Sequence, residues 1–493
     1  VTSQRQSRIA LGLWVGALIC CLLAACFARL EFSKRRDLRP LSGWDENHYF
    51  AWSRSLVVDG DLDFRDDFEF LASLRGVSPL SDVFREAVDS TPPTPSGHFP
   101  NKYGVGTAIL GAPGLLVARG AVLVYGADRV HPHATAYVLG HELSLIVVGF
   151  LGLLGAWRLL ERLSFGKGHA TAAVVLVALG TPLGGYIWFW TGMAHAAGFA
   201  AVVWFALACH RWWECVVAGA PTKTLLCRAG LMGAALGLAM LVRYPNAVVA
   251  LLPAGLALTG WFGAQPDDRA GYLRSAMASL PVAALAAVLA FLPQMLAWKA
   301  VYGSFLLDSY VGERMHPLPM HALHVLFGVR NSLLLWSPLI VGAIAGLVCA
   351  PRELRGWAVG GGMVLLAFLW IYGSWDAYSL GSAFGMRGFV DASVFWMIGV
   401  AGLLSQCWQD RRRRPAVAFA CGLGAALSVW MLGATRAGVQ PMDAPFAGRA
   451  LITEAPTIAR QIAHEITRPF DPPTRTYPLM TQIDFANKSA AAE

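Results

Sequence analysis

The stretch GVGTAILGAPGLLVARGAVLVYG, residues 104–126, decides how the chain is laid out. A helix needs about 20 apolar residues to cross the hydrocarbon core of a bilayer, and this stretch is long enough. It also holds Pro113, Arg119 and many glycines, which suit a segment that lies in or dips into one leaflet. If it crosses, residues 31–103 face the cytoplasm; if it does not, they face outward. Lys34, Arg35, Arg36 and Arg39 favour a cytoplasmic loop, but charge sorts a loop longer than about 60 residues only weakly. Trp44, Phe50 and Trp52 stand near polar neighbours, as in interfacial helices, and the loop's polar constellation needs company from other outward segments. The sequence is therefore read with an outward loop 31–136 that contains juxtamembrane helices.

Composition sets the frame for that loop. Of 493 residues, 56% are apolar and 14% charged, against roughly 25% charged in a soluble domain, and the mean hydropathy is +0.51. The chain is read as an all-α polytopic membrane protein with about 11 transmembrane helices. The stretches lie near 9–30, 137–160, 170–190, 194–213, 228–243, 245–262, 275–297, 331–350, 357–373, 390–407 and 416–435. The first is expected to be a retained anchor, residues 1–435 one multi-span region, and 436–493 a short outward tail. The net charge of +8 does not point to nucleic acid, because the basic residues sit in short clusters between apolar runs. Arg158, Arg162 and Lys167; Arg211, Lys223 and Arg228; Arg269 and Arg274; Arg352 and Arg355; and Arg411 to Arg414 mark cytoplasmic loops. The nine cysteines include no Cys-x-x-Cys pair, so no disulfide framework or zinc knuckle is encoded.

The outward segments carry the polar residues of interest. Gly43-Trp44-Asp45-Glu46-Asn47-His48-Tyr49 places two adjacent carboxylates at a helix start beside the membrane. They suit a general base and a substrate or cation contact, or a helix cap with Glu46 in the first turn. Lys102, at the edge of the 104–126 stretch, suits a lipid phosphate or simple snorkelling. Arg387, flanked by glycines and aromatics and preceded by Ser374-Trp375-Asp376-Ala377-Tyr378, suits bidentate phosphate recognition; pairing with Asp391 is the structural alternative. Arg243 interrupts a long apolar run, as functional or paired intramembrane cations do. His195 either binds a cation with Asp45 or satisfies a backbone carbonyl. Glu313, Arg314 and His316 are polar without a specific spacing, and His141-Glu142 reads as an intramembrane hydrogen-bonding pair. The chain has no Walker loop, His-Glu-x-x-His or dinucleotide fingerprint.

In order and sidedness these motifs resemble the GT-C class of integral membrane glycosyltransferases, which take a sugar from a polyprenyl-phosphate carrier. The resemblance rests on Asp45-Glu46 with Tyr49, the run Ser53 to Asp63, Lys102-Tyr103-Gly104, the run Phe327 to Leu339, and Phe384-Gly385-Met386-Arg387. It implies juxtamembrane helices in the first outward loop and a site facing outward from a bacterial-type inner (plasma) membrane. The partners it implies are a polyprenyl-phosphate-linked sugar donor and a glycan, lipid or protein acceptor. Asp45 would be the base, Lys102 and Arg387, with Arg243, would hold the phosphate, and Glu46 and His195 would orient the acceptor or a divalent cation, with Tyr49 and Trp375 lining the site. Many members of the class have an acidic residue where this chain has His195, so the resemblance leaves metal dependence open. Two other readings fit the same composition: a non-catalytic transporter or flippase of lipid-linked glycans, and a polysaccharide ligase-like transferase using histidine and arginine.

Overall fold

A computed structural model describes residues 41–467, except 42, 76–79, 127–130, 132, 264–265, 309–312 and 443, together with six isolated helical positions between 12 and 23. Apart from those six positions, the first expected span lies outside the described residues, as do the basic residues around Lys34 to Arg39 and the tail beyond 467. The protein is an all-α integral membrane protein: eight described helices are long and apolar enough to cross a membrane, and three shorter apolar helices accompany them.

The N-terminal part is a layer of four helices, α1 (Trp44–Arg54), α2 (Arg65–Ser73), α3 (Ser81–Ser90) and α4 (Gly106–Tyr125). The bundle follows as α5 (Thr135–Arg162), α6 (Lys167–Gly180), α7 (Ala194–Val217), α8 (Thr222–Val242), α9 (Leu251–Gly263), α10 (Pro266–Tyr302), α11 (Leu339–Val348), α12 (Arg355–Ser374), α13 (Ser393–Cys407) and α14 (Arg413–Arg436), with α15 (Ala455–Thr467) against α14. Each of the ten later expected stretches meets a described helix, with two corrections. The 170–190 run is not one helix: α6 stops at Gly180, Thr181 turns back to the Val177 carbonyl at 2.7 Å, and Pro182 starts a separate turn, Leu183–Trp188. The 331–350 run is likewise broken, because Pro338 restarts the chain after Leu333–Trp336 and α11 covers only its second half.

Helix α4 settles the geometry of the 104–126 stretch. Ser53 Oγ donates to the Ala108 carbonyl at 3.3 Å and bonds His141 Nδ1 at 2.9 Å, so residue 108 stands level with the second turn of α5. A helix running down beside α5 would be roughly 15 Å deeper ten residues later. Instead Gly114 still faces Gly140, where an added Cβ would lie 2.0 Å from the Gly140 carbonyl oxygen, and Ala118 is also against Gly140. Small residues on both helices permit this close crossing. Helix α4 therefore crosses the first turns of α5 and stays at one end of the bundle, although it is apolar and long enough to span.

Buried charge ties the layer together. Arg54, at the end of α1 and 1% exposed, donates to Asp59 (2.7 Å), Asp66 (3.0 Å) and Asp67 (2.8 Å), which joins α1 to α2. The turn between them needs Gly60, whose φ of +80° disfavours a side chain. Trp52, Phe64, Phe68, Phe84 and Phe99 fill the space between these helices and the end of α10, where Ala297 and Val301 are buried. At 37 residues, α10 is about 55 Å long and overhangs a hydrocarbon core of about 30 Å. Its overhang is the wall on which the layer rests.

Candidate active site

The four-helix layer and the loop residues 191–193, 243, 303–308, 313–332 and 375–392 meet at the end of the bundle opposite the basic clusters. Helix α1 starts at Trp44 because Glu46 Oε2 accepts from the Gly43 amide at 2.9 Å and Asn47 Nδ2 donates to the carbonyls of Leu41 (3.0 Å) and Gly43 (2.7 Å). Glu46, 2% exposed, is thus engaged in the helix cap. That start leaves Asp45 facing the loops. Segment 99–105 is laced onto α1: Trp52 Nε1 donates to the Tyr103 carbonyl at 3.0 Å, and Asn101 Nδ2 donates to the His48 carbonyl at 2.9 Å. Val105 N donates to Gln294 Oε1 at 2.8 Å, which fixes the same segment to α10.

The lacing aims the Tyr103 hydroxyl at Asp45 Oδ1, 2.6 Å away. From the opposite side Arg387 approaches Asp45 Oδ2 at 2.9 Å. Arg387 opens a short 3-10 turn, Arg387–Phe389, held by packing on both sides. Phe384 stacks on Trp190 and its amide donates to the Tyr186 hydroxyl at 3.2 Å, while Gly388 lies so close to the Tyr372 ring that a Cβ would be 2.5 Å from it. Lys102, next to Tyr103, donates to Glu313 Oε1 at 2.5 Å. Tyr49, 6% exposed, packs edge-on against Tyr103 at 5.0 Å. Burial alone would raise the Asp45 carboxyl, but Arg387, the Tyr103 hydroxyl, His48 and Lys102 together hold it below its ordinary value of 3.8. Burial pushes His48 down to about 4, so it is neutral at physiological pH.

A second, deeper cluster lies beside this one. Arg243 donates to Asp391 Oδ2 at 3.0 Å and to the Tyr372 hydroxyl at 3.4 Å, and His195 Nδ1 is 3.6 Å from Asp391 Oδ1. Gly198 makes room for the carboxylate, since a Cβ there would be 2.4 Å from Asp391 Oδ2. Several expectations are corrected by this arrangement. Asp391 pairs with Arg243 and not with Arg387. His195 faces Asp391 and neither Asp45 nor a backbone carbonyl. His141 also bonds Ser53, and Glu142 also accepts from Thr191 Oγ1 at 3.1 Å. Among the described residues, the ligand atoms of Asp45, Glu46 and His195 do not form one metal-ligand group in this arrangement.

Residues that the sequence reading left without a role also belong to the site. Tyr103 carries the hydrogen bond to Asp45, Glu313 is the partner of Lys102, and Asp391 anchors the deeper cluster. Tyr103 had a signal, its place beside Lys102 in Asn101-Lys102-Tyr103-Gly104. Asn331, in the run Phe327 to Leu339, donates to the Ser379 (3.1 Å) and Gly381 (3.0 Å) carbonyls, which places that motif behind the Arg387 segment. Trp375 begins the same outward loop and pairs with Met315. A cavity of about 460 Å³ lined by Gly166, His169, Leu176, Leu404, Trp408 and Cys421 lies at the other end of the bundle and takes no part in this site.

No family model matches the chain, and no curated protein matches its sequence. Among solved structures it is similar to ArnT from Cupriavidus metallidurans bound to undecaprenyl phosphate, with a TM-score of 0.51 and 14% identity, over 93% of this chain and 76% of that one. The chain has the GT-C fold. ArnT from the same organism in the apo state (TM-score 0.49, 14% identity, 93% of this chain and 76% of that one) and the oligosaccharyltransferase AglB from Archaeoglobus fulgidus in complex with an inhibitory peptide and a dolichol-phosphate (0.41, 14%, 90% and 56%) are further matches. Within the GT-C fold of this chain, the loop after the expected first span carries Asp45, and the loop before α13 carries its cationic partner Arg387.

Proposed function

We propose that the protein is a membrane glycosyltransferase that moves a sugar from a polyprenyl-phosphate carrier to an acceptor hydroxyl on the extracytoplasmic face. One observation carries the reading: Asp45, Tyr103, Arg387 and Lys102, from three separate segments, meet at one end of a GT-C bundle, with both cations holding carboxylates. A lipid phosphate presents the same kind of oxygens as those carboxylates. Its arrival would exchange partners, with Arg387 leaving Asp45 and Lys102 leaving Glu313 to grip the phosphate. The ArnT structure with undecaprenyl phosphate bound supports a carrier of this type.

The exchange also prepares the base. Once Arg387 turns to the phosphate, the main attraction that depresses the Asp45 carboxyl is gone, and its proton affinity rises toward a useful range. The acceptor oxygen attacks the anomeric carbon and its proton passes to Asp45. The bond from that carbon to the phosphate oxygen breaks, and the electron pair leaves on the carrier phosphate, held by Arg387 and Lys102. The resemblance implies a single inverting displacement. Tyr103 keeps Asp45 in place throughout, and Tyr49 backs the Tyr103 ring. Arg243 and His195 act at a distance, because Asp391 holds both. The outward orientation draws support from the basic clusters at the opposite end, and an inner membrane fits the carrier.

The test is transfer by the purified chain in proteoliposomes, with a panel of labelled polyprenyl-phosphate sugars. The reading expects label to move to a hydroxyl acceptor with one carrier phosphate freed per sugar. Carrier binding and movement across the bilayer without bond cleavage for any donor would replace it with the transporter reading.

A further inference from the structure

Residues 314–321, between α10 and α12, are pinned to the end of α12. Met315 and Trp375 form an antiparallel bridge. Around it His316 N donates to the Ser374 carbonyl (2.6 Å), Asp376 N to the Arg314 carbonyl (3.2 Å) and His321 N to the Gly373 carbonyl (2.8 Å). These backbone bonds bring three metal-ligating side chains to one point. His316 Nε2 is 2.6 Å from Asp376 Oδ1 and His321 Nε2 is 3.9 Å from the same oxygen. One ligand atom from each of the three lies within 4.8 Å of the other two. The His321 ring is stacked on Tyr378 at 4.5 Å and 19°, which sets its direction.

We propose that His316, His321 and Asp376 form a binding site for a divalent transition metal of the zinc class, which staples the loop after α10 to the segment after α12. Two imidazoles and a carboxylate are the donors of zinc sites that keep water in the fourth position, whereas calcium and magnesium ask for oxygen ligands throughout. Bonds of about 2.0–2.2 Å place tetrahedral ligand atoms about 3.3 Å apart. The His316–Asp376 contact would open and the His321–Asp376 contact would close, each by less than about 1 Å, by side-chain rotation on a backbone already fixed. A plain imidazole–carboxylate hydrogen bond accounts for His316 alone. It does not account for a second imidazole turned to the same oxygen while stacked on an aromatic ring. The three side chains are partly exposed, so an ion has access from water. The stapled loop also carries Glu313, the partner of Lys102. The site does not depend on the chain being a transferase.

The experiment uses the full chain without a polyhistidine tag, stripped with EDTA and titrated with Zn²⁺ in competition with a coloured chelator. Its Co²⁺ form is read by visible absorption. The expected result is one Zn²⁺ per chain, a four-coordinate Co²⁺ spectrum, and affinity lowered in His316→Ala or His321→Ala by more than the roughly 10–100-fold typical of losing an outer-sphere partner. His169→Ala, at the other end of the bundle, should leave the affinity unchanged. Wild-type chain that takes up no Zn²⁺ against the chelator would overturn the proposal, and that arm needs no variant to fold. Uptake that persists in the His316→Ala/His321→Ala double variant would overturn it equally.

Discussion

Two aspartate–arginine pairs stand at the same end of the bundle with nearly the same separation, 2.9 Å for Asp45–Arg387 and 3.0 Å for Asp391–Arg243. Their surroundings differ. Asp391 is fully buried, flanked by His195 and Gly198, and its arginine is also bonded to Tyr372. The arginines are alike, Arg243 13% and Arg387 15% exposed, and the difference lies in the aspartates, with Asp45 20% exposed and Asp391 sealed from water. A carboxylate sealed from water cannot exchange partners without stranding its charge, whereas one open to water can trade its partner for a ligand. The comparison assigns the deeper pair to holding the loops and the shallower one to substrate.

The largest expected effect is on the deeper pair. Asp391→Asn leaves Arg243, only 13% exposed, without its counter-charge and should cost about 3–5 kcal/mol, read as a large fall in thermal stability in detergent. If Asp391→Asn unfolds no more easily than wild type, the division between the pairs fails. Next comes Arg387→Lys, which keeps the charge and loses the two-pronged donor. At about 1.5–3 kcal/mol for a charge-assisted hydrogen bond, transfer from the labelled donor should fall about 10–100-fold, with thermal stability little changed.

Smaller effects sharpen the comparison. Glu313→Gln releases Lys102 from a half-exposed pair worth about 0.2–1 kcal/mol, so carrier-phosphate affinity should rise up to about fivefold, and Lys102→Ala should lower it. Binding that moves the other way in Glu313→Gln would remove Lys102 from the phosphate site. A pH test is subtler still. The Asp45 carboxyl is held below 3.8 in the folded chain, so its contribution to stability is complete above that value and is lost as pH falls through the depressed one. The difference in melting temperature between wild type and Asp45→Asn, small at neutral pH, should hold down to about pH 4 and shrink only as pH falls further.

Which side of the membrane the pairs face is open to a labelling test. Ser90→Cys, exposed at the end of α3, should react with an impermeant thiol reagent added outside intact cells. Reaction only after permeabilisation would separate the layer from the extracytoplasmic face.

The contrast also explains how much of the molecule is legible in its sequence. Apolar length alone located the bundle helices, because a bilayer leaves backbone groups few other ways to be satisfied. Asp45 and Arg387 stood out because each is a charged group in an aromatic, glycine-flanked setting beside the membrane. The deeper cluster was not legible as a cluster: Arg243 and Asp391 are 148 residues apart, and one charge in an apolar run shows that a partner is needed, not which one. Nothing periodic marks the break at Thr181–Pro182 either, since both halves of the run are apolar. The path of α4 was ambiguous for a related reason. Its composition permits a span, and only the Gly114–Gly140 crossing shows that it does not run down beside α5.

The most direct test of the shallower pair is a single measurement on Asp45→Asn in which carrier-phosphate binding and single-turnover sugar transfer are followed in the same sample. The account predicts carrier binding as tight as wild type or tighter, because Arg387 is released, with transfer slowed about 10²–10⁴-fold. Transfer at the wild-type rate, or carrier binding lost together with transfer, would contradict it.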